Sequence, residues 1–207
     1  MSFVFNKRKK KNMKKTKLVS LIGKYSLGGN IESVIWKTSN NDTTVELAHP
    51  DKTLIGNVTL KDSGIEDSEL GIFDTSKLTQ MLGSLDQEFT FDIKKLDKRP
   101  ISIDLTDSNF KMKFVPSDTD IIPKAASLKQ LPPFETEIKL DDTFINNFLK
   151  ATKAVTEEIT AFVGGDDDMN VVVGYSSTVN NNNVKFGVTP TTCHNSISTF
   201  KTEYLKA

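Results

Sequence analysis

Residues 17–23, KLVSLIG, return sixty residues later as KLTQMLG at residues 77–83. Three of the seven positions are identical, and two more pair one apolar residue with another. A second match, at a spacing of fifty-six residues, joins residues 144–151 to residues 200–207. Two matches of nearly one period, each within the same strand-and-helix pattern, indicate an internal repeat. The sequence therefore predicts four similar segments, grouped as two and two.

Each segment is predicted to be a strand and a helix followed by about three strands. Leu18, Leu21, Ile22 and Tyr25 recur at three- and four-residue steps, which predicts an amphipathic helix over residues 14–27. Further helices are expected near residues 76–85, 142–155 and 201–207. Short apolar runs between polar turn residues, such as a turn expected at residues 98–100, favour antiparallel strands. These lie at residues 31–37, 43–48, 53–60, 70–73, 88–93, 101–105, 110–114, 134–140, 159–163, 169–175, 183–188 and 197–200.

This pattern predicts an α+β fold with two similar domains, each of antiparallel sheet with paired helices. A single helix cannot bury its apolar stripe alone, so helix pairs are expected to pack on the sheets. Residues 1–13 are expected to be a basic, disordered extension, and residues 14–115 the first domain. Residues 116–133, which contain four prolines, are expected to connect it to the second domain, residues 134–207. The fourth segment stops before its strands, so the second domain is expected to be truncated at its C-terminus.

The charge of the chain is unevenly distributed. The net charge is zero, but residues 1–17 contain eight basic side chains and no acid, which leaves a net charge of −8 on the other 190 residues. An acidic body repels polyanions unless its basic residues gather on one surface. Helical spacing places lysines on the outward helix faces. These are Lys17, Lys24, Lys77 and Lys150, with Lys153 toward the flank of its helix. They form either an ordinary solvated surface or one that attracts phosphates.

Composition offers little for catalysis. One cysteine, Cys193, and two histidines are too few for the usual zinc sites, and we predict no metal, no cofactor and no catalytic residue. The adjacent Cys193 and His194 would point to opposite faces of a strand. Residues 166–168, all aspartate, are expected to form an acidic turn. Asp74, Thr75 or Ser76 is expected to cap one helix, and Asp141 or Asp142 another. The sequence has no run of 18 apolar residues to cross a membrane and no phosphate-binding GxxxxGK[ST] loop.

With these features, the chain resembles the DNA sliding clamps of T-even-like tailed bacteriophages. The resemblance covers residues 14–207, and its best carriers are residues 70–74, LGIFD, leading into residues 77–85, and residues 134–155 after the connector. In that family two similar domains build a subunit, and three subunits close a ring around duplex DNA. Helices line the hole, and sheets form the outer wall.

The resemblance implies a processivity factor for DNA replication rather than an enzyme. The five lysines would face duplex DNA without reading its sequence. The partners would be DNA polymerase, a clamp-loader ATPase and two more copies of the chain, as a homotrimer in the cytoplasm of an infected bacterial host. Partner peptides would dock near residues 118–131. The alternative is a non-enzymatic viral structural or assembly protein with a two-domain β-rich fold.

Overall fold

The structure is a computed structural model of the chain, and it describes residues 12–49, 54–124, 133–165, 168–178 and 181–206. Most of the predicted basic extension, residues 1–11, lies outside the described residues, as do residues 125–132 of the predicted connector. The chain divides into two compact units, unit 1 (Met1–Ser127) and unit 2 (Leu128–Ala207). Each unit contains two α-helices and several antiparallel strands among the described residues.

Unit 1 packs two helices against two antiparallel sheets. The helices are α1 (Lys15–Ser26) and α2 (Thr75–Gly83). The strands are β1 (Asn12–Lys14), β2 (Val34–Ser39), β3 (Asp42–Ala48), β4 (Ile55–Leu60), β5 (Ser68–Ile72), β6 (Glu88–Leu96), β7 (Arg99–Thr106) and β8 (Lys111–Phe114). They form one sheet in the order β1-β6-β7-β8 and another in the order β4-β3-β2-β5. The apolar faces of both sheets and both helices share one core.

Unit 2 also has two helices, and one of its sheets has the same strand order as one sheet of unit 1. Its helices are α3 (Asp142–Ala154) and the single-turn α4 (Thr202–Leu205). Its strands are β9 (Glu137–Ile138), β10 (Ile159–Gly164), β11 (Met169–Val173), β12 (Val184–Val188), β13 (Pro190–Thr192) and β14 (Ile197–Lys201). One sheet has the order β12-β11-β10-β14, and β9 pairs with β13. The first of these orders matches β4-β3-β2-β5 of unit 1, strand for strand.

The helix positions define the repeat more accurately than the sequence does. In unit 1 the helices begin at residues 15 and 75, and in unit 2 at residues 142 and 202, so the spacing is 60 residues in both. The predicted spacing of fifty-six in the second half is therefore wrong by about one helical turn. It aligns Phe144, inside α3, with Phe200, which lies in β14.

Two other predicted features of unit 1 are corrected. Met13 is predicted to belong to the extension, but it pairs with Phe89 in β1 and β6 and is only 4% exposed, because its side chain belongs to the core. The turn predicted at residues 98–100 lies instead at Asp97 and Lys98, which adopt positive φ angles. Pro100 is accommodated in β7 because the register shifts at the facing residues of β6, where its missing N–H is tolerated.

Several strand boundaries also differ from the predicted ones. The strand expected over residues 134–140 is reduced to β9, because its pairing partner is the short β13, which the sequence did not predict. The strand expected over residues 169–175 ends at Val173, because Gly174 turns the chain with a φ of 83°. β2 begins at Val34 rather than at residue 31, although Ile31 is buried.

Side chains cap the helices largely as predicted. The Asp74 carboxylate accepts a hydrogen bond from the Lys77 N–H at 2.7 Å, and the Asp141 carboxylate accepts one from Phe144 N–H at 2.8 Å. Both aspartates were predicted as candidate caps, and both are confirmed. Glu32 adds a bond that the sequence does not indicate, because its carboxylate accepts the Ser76 N–H at 2.8 Å across 44 residues. The start of α2 is therefore anchored to the loop before β2.

The first residues after β8 form a strap, residues 115–122, along the edge of β5. The Ser117 N–H donates to the Gly71 carbonyl at 2.8 Å, and Ile122 is buried at 2% exposure. A Cβ atom at Gly71 would lie 2.3 Å from the Ser117 oxygen and 2.9 Å from Ile122 Cδ1. The close approach of the strap therefore requires glycine at position 71.

Alanine substitutions at two glycines should have opposite effects on the stability of unit 1. Gly71→Ala should lower the free energy of unfolding by about 1–3 kcal/mol, because the strap must move away. Gly23→Ala should raise it by about 0.5–1 kcal/mol, because Gly23 is helical and a Cβ there meets nothing within 4 Å. Urea unfolding of the two variants measures both values. A destabilised Gly23→Ala together with an unaffected Gly71→Ala would contradict this description.

A second link, at the other end of unit 1, depends on an ionised carboxylate. The Asp107 carboxylate accepts hydrogen bonds from the backbone N–H groups of Asp86, Phe110 and Asn109, at 2.7, 2.6 and 2.8 Å. The bond from Asp86, the largest cause, lowers the pKa of Asp107 below its usual value of 3.8. The charged carboxylate thus joins the loop after α2 to the β7–β8 turn.

Acid should weaken this link. A carboxyl group whose pKa is lower in the folded state stabilises the fold above its unfolded pKa, and this contribution is lost as the pH falls through the folded value. The melting temperature of the original chain should therefore exceed that of Asp107→Asn at neutral pH, and the difference should shrink below about pH 4. Asp97→Asn, in the β6–β7 turn, is the matched control. A difference for Asp107→Asn that is constant with pH would contradict the assignment.

Candidate nucleic-acid interface

The helices α1 and α2 lie side by side and antiparallel. Near the end of α1, the Tyr25 hydroxyl is hydrogen-bonded to the hydroxyl of Thr75, at the start of α2, at 3.1 Å. At the other end, the Lys15 ammonium donates to the carbonyl of Leu85, just after α2. Lys24 adjoins Tyr25, and Lys77 follows Thr75 by two residues. These two lysines therefore lie at the same end of the helix pair.

Lys24 and Lys77 are both exposed on the solvent side of their helices. The buried residues of α1 are Leu18, Leu21, Ile22 and Tyr25, and those of α2 are Thr75, Leu78 and Leu82. Within the described ranges, neither lysine ammonium forms an ion pair or a hydrogen bond. The prediction that these two side chains point away from the core is confirmed, and their charges are available to a ligand in solution.

Lys17 differs from these two. It is half-buried at the flank of α1 rather than opposite the apolar stripe, and its ammonium donates to the Asp62 carbonyl at 2.8 Å. Helical periodicity gave the approximate direction of this side chain, but it contains no information about the β4–β5 loop that Lys17 reaches. A role for Lys17 toward DNA stays a prediction, although part of its hydrogen-bonding capacity is already used.

Lys113 joins the basic residues near α2. A shallow cavity of about 200 Å³ is lined by Lys77, Lys113, Phe73 and Val115, among others. Lys113 is exposed in β8, 36 residues after Lys77, and the two come together because β8 ends beside the start of α2. No local signal identifies such a neighbour. Alternation along β8 shows only that Lys111 and Lys113 share a face.

Unit 2 carries the remaining two predicted lysines. Lys150 and Lys153 are exposed on α3, whose buried residues are Phe148, Ala151 and Thr152. Lys153 lies in the last turn of α3, and Lys24 in the last turn of α1. A cation in that position also stabilises the helix dipole, by about 0.3–1 kcal/mol. Lys24 and Lys153 therefore have a structural role that needs no ligand.

The other candidate groups do not form a site. The Cys193 thiol lies 3.5 Å from the Asp168 carbonyl oxygen, and His194 Nε2 is 3.9 Å from a Glu135 carboxylate oxygen, with both side chains of the latter pair largely exposed. In the part of the chain that is described, no three His, Cys, Asp or Glu side chains are grouped to hold a metal ion. Asp166 and Asp167 lie outside it. Among the described helices, none has the length and apolar character to cross a membrane.

The contacts of Lys17 and Lys24 predict different effects of alanine substitution. Lys17→Ala should lower the free energy of unfolding by about 0.5–1 kcal/mol, because it removes the bond to the Asp62 carbonyl. Lys24→Ala should weaken binding to duplex DNA more than Lys17→Ala does, because the Lys24 ammonium is exposed; its own effect on stability, about 0.3–1 kcal/mol, comes from the helix dipole. Thermal unfolding and a salt titration of DNA binding measure the two effects. Equal reductions of DNA binding would contradict the distinction.

Comparisons with known proteins support the architecture. Neither protein-family models nor curated protein sequences match the chain. The chain is similar in structure to the crystal structure of Proliferating Cellular Nuclear Antigen from Entamoeba histolytica, with a TM-score of 0.62 and 12% sequence identity. The likeness covers 95% of this chain and 81% of that one. It confirms the predicted fold class: the chain has a two-domain, clamp-like α+β architecture.

Proposed function

We propose that the protein is a subunit of a DNA sliding clamp. Copies of the chain would close a ring around duplex DNA and hold a DNA polymerase on it during viral replication. The observation that carries the proposal is the pair of exposed ammonium groups of Lys24 and Lys77, which have no partner among the described residues and lie at one end of the α1–α2 pair in a clamp-like fold. Lys150 and Lys153 on α3 would supply the corresponding charges of unit 2.

The chemistry of these lysines suits movement along DNA. An exposed ammonium on a flexible side chain attracts phosphates by charge, and phosphate contacts carry no sequence information. The rest of the chain beyond residue 17 has a net charge of −8, so DNA is repelled from surfaces without grouped lysines. Because these lysine–phosphate contacts are weak, the closed ring itself would keep the protein on the DNA. A polymerase bound to the ring would experience a high effective concentration of DNA.

Strands at the edges of the described sheets could pair with another copy of the chain to form a ring. β8 ends the sheet β1-β6-β7-β8, and β12 ends the sheet β12-β11-β10-β14. An edge strand presents N–H and C=O groups to which a strand of another chain can pair. We propose that edges of this kind in the two units join subunits head to tail, as a homotrimer.

The finer parts of the proposal depend on the sequence resemblance to T-even-like phage clamps. They are a phage origin, the cytoplasm of the infected bacterial host as location, loading by a separate ATPase, and docking of partner peptides near residues 118–131. Half of that last segment, residues 125–131, lies outside the described residues. The alternative, a viral structural or assembly protein with the same fold, would need neither free lysines nor linkage to DNA.

Whether the protein encircles duplex DNA can be tested without the polymerase or the clamp loader. The chain is incubated at high concentration with duplex DNA fixed to a surface at one end, and the free end is then blocked with a bulky protein. A clamp should remain on blocked DNA through a high-salt wash and leave when a restriction enzyme reopens the end. The double variant Lys24→Glu, Lys77→Glu should load several-fold less. The slope of its log affinity against log salt should be smaller by about 0.9 for each phosphate that the variant no longer neutralises.

The matched control is Lys37→Glu, Lys94→Glu, which makes the same change of charge on exposed sheet lysines that pair with Glu46 and Asp92. Light scattering of all three proteins checks that assembly is unchanged. Release that is equally fast from blocked and open DNA would refute the clamp and favour the structural-protein alternative. Equal loading of the two double variants would refute the role of Lys24 and Lys77.

A further inference from the structure

One face of α3, in unit 2, carries an apolar stripe that is open to solvent. Asp142, Ile145, Leu149 and Lys153 follow one another at steps of three, four and four residues, so they lie on one face of the helix. Ile145 is 46% exposed and Leu149 is 41% exposed, while the buried residues of α3 lie on another face. The centre of the stripe is therefore apolar and uncovered.

The two ends of the stripe carry opposite charges. Asp142 lies in the first turn of α3 and Lys153 in the last turn, and both are exposed. Within the described part of the chain, neither side chain forms an ion pair. Eleven residues separate them along the sequence, which is roughly 17 Å along a helix that rises 1.5 Å per residue. A stripe with an acid at one end and a base at the other is complementary to a copy of itself that runs in the opposite direction.

Unit 1 shows what a helix at this position packs against. There α1 is paired, antiparallel, with α2, which has nine residues. In unit 2 the helix that corresponds to α2 is α4, which has only four residues and packs against the core of the unit through Leu205. The exposures of Ile145 and Leu149 are those that remain with α4 in place. A further helix can therefore pack against α3 along this stripe.

We propose that α3 pairs with α3 of a second copy of the chain, antiparallel and about a two-fold axis. Ile145 packs against the partner's Leu149, and Asp142 lies against the partner's Lys153. The two-fold axis makes each contact occur twice, which distinguishes this pairing from the head-to-tail strand pairing of the proposed ring. Two facing helices of 13 residues form a smaller interface than the roughly 1,000 Å² that a stable complex needs, so the pairing is weak and depends on concentration.

The pairing has a consequence for DNA binding, and this consequence alone rests on the proposed function. The Lys153 ammonium belongs both to the stripe and to the proposed DNA surface. It cannot contact the partner's Asp142 and a phosphate of duplex DNA with its full charge at the same time. Chains that are off DNA should therefore pair through α3, and duplex DNA should separate them.

Disulfide capture in the full-length chain tests the pairing without DNA. Chains with Cys193→Ser and Ile145→Cys are mixed with chains that carry Cys193→Ser and Leu149→Cys, at high micromolar concentration in a glutathione redox buffer. The disulfide between the two variants should exceed either self-linked product several-fold, because the antiparallel register brings these two side chains together. The control replaces Ile145→Cys by Val19→Cys, at a position of α1 that is 45% exposed. A yield no higher than that of the control would overturn the pairing, and equal yields of the three products would overturn the antiparallel register.

Exchange of the two charges tests the ends of the stripe. Asp142→Lys or Lys153→Glu, introduced into both cysteine chains, should lower the yield several-fold, because each brings like charges together. Both changes in the same chain should restore most of the yield. A purely structural effect would add up instead, since each change opposes the helix dipole. A double variant captured less than either single variant would overturn the charge contacts, and an unchanged yield of the original pair in saturating duplex DNA would overturn the competition.

Discussion

The apolar stripe of a helix must be covered, and in unit 1 this requirement positions everything that could contact DNA. α1 and α2 each bury a stripe in the core that they share with both sheets. The contact between them is closed by the Tyr25 hydroxyl, whose burial raises its pKa to about 12. Its loss of hydration is offset by the hydrogen bond with the Thr75 hydroxyl. With the stripes facing inward, the lysines on the opposite sides of both helices must face solvent.

The same packing separates the lysines of unit 1 into two groups. Lys15 and Lys17 donate to backbone carbonyls, of Leu85 and Asp62, and so hold the start of α1 to the loops around it. Lys24 and Lys77 have no such partners among the described residues. Position along the helix therefore decides the role, since the first group lies where α1 meets neighbouring loops and the second where both helices are bordered by solvent. Counting lysines on a helix does not make this distinction.

The features that could be predicted from sequence are those with a local cause. The bounds of α1, α2 and α3 follow from apolar spacing and from caps such as Asp74 and Asp141, all of which lie within a few residues of the helix they affect. Met13 in β1 and the pairing of β9 with β13 could not be predicted, because a strand of two or three residues has no periodicity and its partner is more than fifty residues away. The contact of Lys17 with Asp62 and the proximity of Lys113 to Lys77 were missed because the paired residues are 45 and 36 positions apart, beyond the reach of any local pattern.

The strap after β8 has a mechanical consequence. Among the described residues, tension applied to the chain beyond residue 122 reaches the rest of unit 1 through the buried side chain of Ile122 and the Ser117–Gly71 hydrogen bond. These two points would be loaded one after the other, as in peeling. β8 itself is held to β7 by a four-residue ladder that extends from Lys111 to Phe114. The strap would therefore detach first. Its detachment would lengthen the chain at the end of unit 1 by several residues while the two sheets and the helix pair stay folded.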